Sequence, residues 1–233
     1  MSMNNVHIMA IGAHCGDMEV TAGGVIAKYT KYGNKATIVH MTLGEKGHPT
    51  LSPEEYGRQK IEEAKGVAKL LGANVIFLDY KDGELPQNEE IEFQICDLIR
   101  REKPDICVTH WRNSIHPDHS NTYRNVLGGV FKASLKAIGR EYTAHRVKKL
   151  LFAENWEDSG DFEPYIYIDI SEVFDQWIEA ISKYELFRGG VSNFPYLDYY
   201  KSLAKIRGAE SGFKYAEAFD VLKESKKIFA QFF

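Results

Sequence analysis

The stretch Val6-His7-Ile8-Met9-Ala10-Ile11-Gly12-Ala13-His14-Cys15-Gly16-Asp17-Met18-Glu19 decides the fold. Its first seven residues are nearly all apolar rather than alternating. This predicts a strand over Val6 to Gly12 that is buried on both faces, as strands of parallel sheets are. The run then breaks into a glycine-containing turn that carries a histidine, a cysteine and an acid. Helical spacing follows from Thr21 to Tyr32, with Gly33 as the stop. Strand, tight turn and helix in that order open a βαβ unit.

Outward from this stretch the alternation repeats. Strands are predicted over Ala36 to Thr42, Asn74 to Tyr80 and Asp105 to His110, with later ones near Lys149 to Ala153 and Tyr165 to Ile170. Helices are predicted over Pro53 to Leu71, with Ser52 as N-cap and Gly72 as stop, and over Glu89 to Glu102. The pair Gly23-Gly24 reads as a place of close helix packing. Beyond Ile170 the pattern predicts a helix over Ser171 to Phe187, an irregular Gly-, Tyr- and Pro-containing stretch, and a last helix near Tyr215 to Phe232. The expected architecture is α/β: a doubly wound, mainly parallel sheet with a 3-2-1-4-5 core, in a single Rossmann-like domain over residues 1–233.

The hydrophobic share of 44% and the charged share of 27% are ordinary for a folded globular chain. A net charge of -4 gives no general attraction to a phosphate backbone or an anionic bilayer, so neither nucleic acid nor membrane is expected as a partner. The N-terminal MSMNNVHIMAIGAH has no basic head and its apolar run breaks early, which points to cytoplasmic residence. Cys15, Cys96 and Cys107 are odd in number and widely spaced, so they read as reduced, buried thiols. Cys15 lies in a loop that also carries a His and an Asp, which disfavours the thiol as a ligand.

Two segments concentrate metal-binding side chains, and each directly follows a predicted strand: His14-Cys15-Gly16-Asp17 and His116-Pro117-Asp118-His119. In an open α/β sheet, ligands collect at the carboxyl ends of the strands where the strand order reverses. With a 3-2-1-4-5 order, strands one and four are neighbours and both loops face one crevice. A spacing of three lets two side chains in each loop converge on one ion. Two imidazoles and a carboxylate leave positions open, as a catalytic divalent ion requires. A dinucleotide site fits poorly, because Gly12-Ala13-His14-Cys15-Gly16-Asp17 lacks the GxGxxG spacing and places a His and an acid where the pyrophosphate needs glycine.

With these residues the chain resembles the LmbE and PIG-L family of zinc-dependent N-deacetylases, whose motifs are AHPDDxE and HPDH. Further matches are Thr42-Leu43-Gly44-Glu45-Lys46-Gly47, Arg58 with Glu62 and Glu63, Asp82-Gly83-Glu84-Leu85, and Arg207-Gly208 through Tyr215-Ala216-Glu217-Ala218-Phe219. The resemblance implies a single divalent ion, zinc, held by His14, Asp17 and His119. It implies removal of acetate from an N-acetylated amino sugar or small glycoside conjugate, a sugar-type small-molecule partner, and compatibility with a homo-oligomer. His116 matches the residue that stabilises or protonates the tetrahedral intermediate, with Asp118 as its orienting partner. Glu45, Arg58 and Asp82 match positions that contact sugar hydroxyls or fix loops.

One departure stands out. The family's general-base aspartate is Gly16 here, and a glycine cannot take a proton from water. General-base assistance is worth about 10²–10⁴-fold. Three routes stay open: another acid such as Glu19 or Glu45 takes the role, His116 serves as both base and acid, or the reaction differs, as in elimination or isomerisation on a sugar. A metal-binding homologue with an impaired site is a further alternative. Glu19 also fits a purely structural reading as a first-turn carboxylate at a helix N-terminus.

Overall fold

The computed structural model describes residues 5–226. The elements are β1 (His7–Gly12), α1 (Asp17–Lys31), β2 (Lys35–Thr42), α2 (Pro53–Leu71), β3 (Asn74–Tyr80), α3 (Glu89–Glu102), β4 (Ile106–Thr109), α4 (Pro117–Ser134), β5 (Lys149–Ala153), β6 (Ile166–Asp169), α5 (Phe174–Ile181), α6 (Tyr196–Ser211) and β7 (Ala216–Asp220). They form a seven-stranded sheet in the order β3-β2-β1-β4-β5-β7-β6. The first five are parallel; β7 runs antiparallel to both β5 and β6. The expected core order is therefore present.

Period-two alternation within the sheet divides the core. Ile8 and Ala10 of β1 face one layer with Ile38, Val108 and Leu151, against α1, α2, α5 and α6. Met9 and Ile11 face the other with Val39, Met41 and Cys107, against α3 and α4. Both faces are covered, so alternate residues are equally apolar. Gly23 and Gly24 admit close approach: a Cβ at Gly23 would lie 2.7 Å from Trp177 Cδ1, and one at Gly24 would lie 2.8 Å from Ile170 Cδ1.

Four expectations are corrected. α1 begins four residues earlier than its apolar spacing suggested, because Gly16 takes the left-handed conformation and the Glu19 carboxylate accepts its N–H at 3.1 Å. α5 is limited to Phe174–Ile181, and the chain beyond it turns so that Tyr184 and Phe187 pack inward. The last helix is absent over its described part. Ala216–Asp220 is a fully buried strand wedged between β5 and β6, and residues 227–232 of that expectation lie outside the described residues. Strand pairing outweighed local propensity there. The stretch expected to be irregular contains α6, whose buried face is the narrow row Tyr200, Ala204, Gly208.

Candidate metal centre

The loops after β1, β4 and β5 meet at the carboxyl end of the sheet. His14 lies in the turn after β1, and Asp17 is the first residue of α1. His116 is the N-cap of α4, with Pro117 as its first residue and His119 one turn in. His14 Nδ1 lies 3.2 Å from Asp17 Oδ2 and 3.2 Å from His119 Nε2, and His119 Nε2 lies 3.5 Å from Asp17 Oδ2. Ligands in a tetrahedral shell at about 2.0–2.1 Å from zinc stand about 3.3 Å apart, so the three atoms have the spacing of such a shell.

The ring partners determine which nitrogens are free. His119 Nδ1 lies 2.8 Å from Asp158 Oδ1, so its proton goes there and Nε2 carries the lone pair. His14 Nε2 faces Asp82 Oδ1 at 3.2 Å and Asp118 Oδ2 at 3.4 Å, which leaves Nδ1 as the lone-pair atom. Two imidazole lone pairs and a carboxylate oxygen thus point at one another, an arrangement that repels unless a cation or a proton stands among them. Carboxylates behind ligand histidines are the usual means of fixing tautomer and ring orientation. Asp158 does this twice, since its Oδ2 lies 2.8 Å from His110 Nδ1. His110 Nε2 accepts the Ala13 N–H at 3.0 Å and approaches Asp17 Oδ2 at 3.1 Å. The donor set fits a divalent ion.

The electrostatics agree. Burial would depress the His14 imidazole, but Asp17, Asp118 and Asp82 hold it well above the ordinary range. Burial would raise Asp17, but His119, His14 and His110 keep it well below. Burial, aided by the nearby His110, pushes His119 down to about 4.

His116 and Asp118 are both at the site, with different partners than expected. The Asp118 carboxylate accepts from Gly83 N–H at 2.7 Å and Leu85 N–H at 3.3 Å and faces His14; only its backbone N–H reaches His116, donating to Nδ1 at 3.2 Å. The neutral His116 ring therefore carries its proton on Nε2. Burial and the nearby His14 keep that ring below its ordinary pKa. Asp82 is brought to the centre beside His14, its other oxygen accepting Lys46 N–H at 2.9 Å. Glu45 is one step removed, accepting Asp82 N–H at 2.9 Å. Glu19 is fully buried behind the loop, where its oxygens accept from Tyr184 Oη at 2.6 Å and from Gly16 N–H. Arg58 is not brought in: it is exposed on α2 and pairs with Glu54 at 2.6 Å. All three cysteines are free and buried, and burial keeps the Cys15 thiol protonated.

Beside the three donors is a cavity of about 220 Å³, lined by His116, Trp156, Glu157, Phe187, Tyr196 and Tyr200 among others. Sequence reading missed His110 and the segment Asn155 to Asp158. His110 is the last residue of the fourth predicted strand and Asn155 to Asp158 follow the fifth, so the rule applied to the first and fourth loops would have flagged the second of these. Burial, with the nearby Asp17 and Asp158, pushes the Glu157 carboxyl up to about 7. Among the described residues no helix is long and apolar enough to cross a membrane.

Comparison with known proteins extends this picture. Residues 9–128 match the family described as "PIG-L: GlcNAc-PI de-N-acetylase". The chain is 26% identical to the diacetylchitobiose deacetylase of Thermococcus kodakarensis, over 90% of this chain and 80% of that protein. It is 24% identical to the 4-oxalmesaconate hydratase of Pseudomonas putida, over 74% and 70%. The fold superposes on the solved 4-carboxy-2-hydroxymuconate hydratase of Pseudomonas putida with a TM-score of 0.86 at 20% identity, covering 97% of this chain and 99% of that one.

Proposed function

The chain belongs to the PIG-L family, and from that premise we propose that it is a zinc-dependent hydrolase that removes an acetyl group from the nitrogen of an amino sugar or small glycoside conjugate. The carrying observation is the convergence of His14 Nδ1, Asp17 Oδ2 and His119 Nε2 at the edge of the cavity. Zinc bound there would supply Lewis acidity, polarising an acyl oxygen and easing the ionisation of water.

The chain's own residues do the rest. Asp82 and Asp118 hold the His14 Nε2–H, and Asp158 holds the His119 Nδ1–H, so each ring turns its other nitrogen toward the centre before any ligand arrives. His116, with its proton on Nε2, donates a hydrogen bond to the charge that develops on the acyl oxygen. Trp156, Tyr196 and Tyr200 give the cavity the apolar walls against which a sugar ring stacks. Zinc content and acetate release from N-acetylglucosamine and N,N'-diacetylchitobiose test the reading. His119→Ala should remove both, and acetate release that survives chelation of the metal would overturn it.

Gly16 favours a second reading, in which water is added to or removed from a substrate without amide cleavage. The hydratase relative is the family precedent. Unsaturated carboxylic acids and unacetylated glycosides turned over with no acetate formed would select it.

A further inference from the structure

Hydrolysis of an amide needs a proton acceptor for water, and position 16 does not supply one. The acids that sequence reading offered in its place are committed elsewhere. Glu19 is fully buried and bonded through both oxygens, and Glu45 accepts from the backbone of Asp82; neither lines the cavity. Asp82 and Asp118 each spend both oxygens on backbone N–H groups and on His14.

Glu157 differs from all of these. It lines the cavity, and its Oε2 stands 3.8 Å from His119 Nε2, the ring atom that completes the three-donor cluster. Its backbone is pinned from two sides: Glu157 N–H donates to Asn155 Oδ1 at 3.1 Å, and Ile115 N–H donates to the Glu157 carbonyl at 3.0 Å. The next residue, Asp158, holds both His110 and His119. Yet among the described residues the Glu157 carboxylate accepts no hydrogen bond. A carboxylate on a fixed backbone, with both oxygens unspent, at the edge of a donor cluster is placed to receive a proton.

We propose that Glu157, reaching the centre from the loop after β5, is the proton acceptor that replaces the carboxylate missing at Gly16. The proposal rests on the hydrolase reading above. As the O–H bond of water breaks, its proton goes to a Glu157 oxygen and its electron pair forms the new bond to the acyl carbon, moving the carbonyl pair onto the acyl oxygen. Return of that pair breaks the carbon–nitrogen bond, and the departing nitrogen takes up the proton that Glu157 received. One water is consumed, and a carboxylic acid and an amine are formed.

The test uses Glu157→Gln, which keeps the shape and loses the acceptor, and Glu157→Asp, which keeps the acid at shorter reach. The readouts are zinc content, affinity for acetohydroxamate by calorimetry on the zinc-loaded protein, and acetate release. Acetohydroxamate gives up its hydroxyl proton to a nearby acceptor when it chelates, so its affinity reports the acceptor whatever the natural substrate is. Glu157→Gln should keep its zinc, bind acetohydroxamate at least tenfold more weakly and lose acetate release about a hundredfold or more, with Glu157→Asp intermediate. Unchanged hydroxamate affinity overturns the proposal. Loss of zinc from Glu157→Gln also overturns it, because Glu157 would then be a ligand. If the wild type releases no acetate from any N-acetyl sugar while hydroxamate binding still depends on Glu157, the acceptor stands and the deacetylase reading falls.

Discussion

The ring of Phe187 occupies the space that a side chain at Gly16 would enter: a Cβ built at position 16 lies 2.8 Å from Phe187 Cζ. Gly16 itself has φ of 113°, a backbone that residues with a Cβ rarely adopt. The ring is buried between Tyr184 and Tyr196. Position 16 therefore has no room for a side chain while the loop after α5 packs Phe187 against it.

Restoring the carboxylate alone should fail. Gly16→Asp combines a strained backbone with a clash and should destabilise by about 1–3 kcal/mol without raising acetate release. In Gly16→Asp with Phe187→Ala the clash is removed, and urea unfolding should show the double variant more stable than the sum of the two single changes predicts. Strict additivity would mean that Phe187 does not define position 16.

Asp158 should govern metal affinity without touching the metal. Asparagine offers one oxygen where the carboxylate offers two, so Asp158→Asn can hold only one of His110 and His119. Zinc affinity, measured by competition with a chromophoric chelator, should fall about tenfold to a hundredfold. Unchanged affinity would remove Asp158 from the centre.

Glu217 should make stability depend on pH. It is buried against α1, where its oxygens accept Gly24 N–H at 2.8 Å and Val25 N–H at 2.7 Å, and burial pushes its carboxyl from an ordinary 4.5 up to about 7. A carboxyl raised in the folded state favours folding while it is protonated. Its contribution is fully present below pH of about 4.5 and is lost as pH rises through about 7. The stability difference between wild type and Glu217→Gln should therefore move against the wild type by up to about 3 kcal/mol between pH 5 and pH 8. Titration of the histidine cluster is common to both proteins and cancels. A difference that stays flat across that range would count against a buried, raised Glu217.

Arg58→Ala should leave zinc content and acetate release unchanged, since the side chain is exposed and paired within its own helix turn. A loss of substrate affinity with zinc retained would show that Arg58 reaches a bound substrate.

The first four strands, α2 and α3 were legible because their signals are local: an apolar run, a serine before a proline, a glycine after the last apolar turn. His14, Asp17, His116 and His119 were legible because short spacings at strand ends leave little freedom in where the side chains go. β7 was not legible, since a five-residue strand of mixed composition is defined by the two strands on either side of it. Asp158, Glu157 and His110 were missed because none belongs to a short-spaced pair of donors, and their partners are set by the fold. Asp158, for example, meets His110 and His119 only because the loop after β5 folds beside the loop after β4.

A mainly parallel α/β sheet, and the loops after β1 and β4 that carry the three donors, follow from local sequence, because apolar periodicity and the order of strands restrict topology to very few solutions. What packs against Gly16 follows from the fold alone. Which ring covers it and which carboxylate faces the donor cluster depend on the packing of the loops after β5 and α5, and no pattern local to residues 12–19 contains that information.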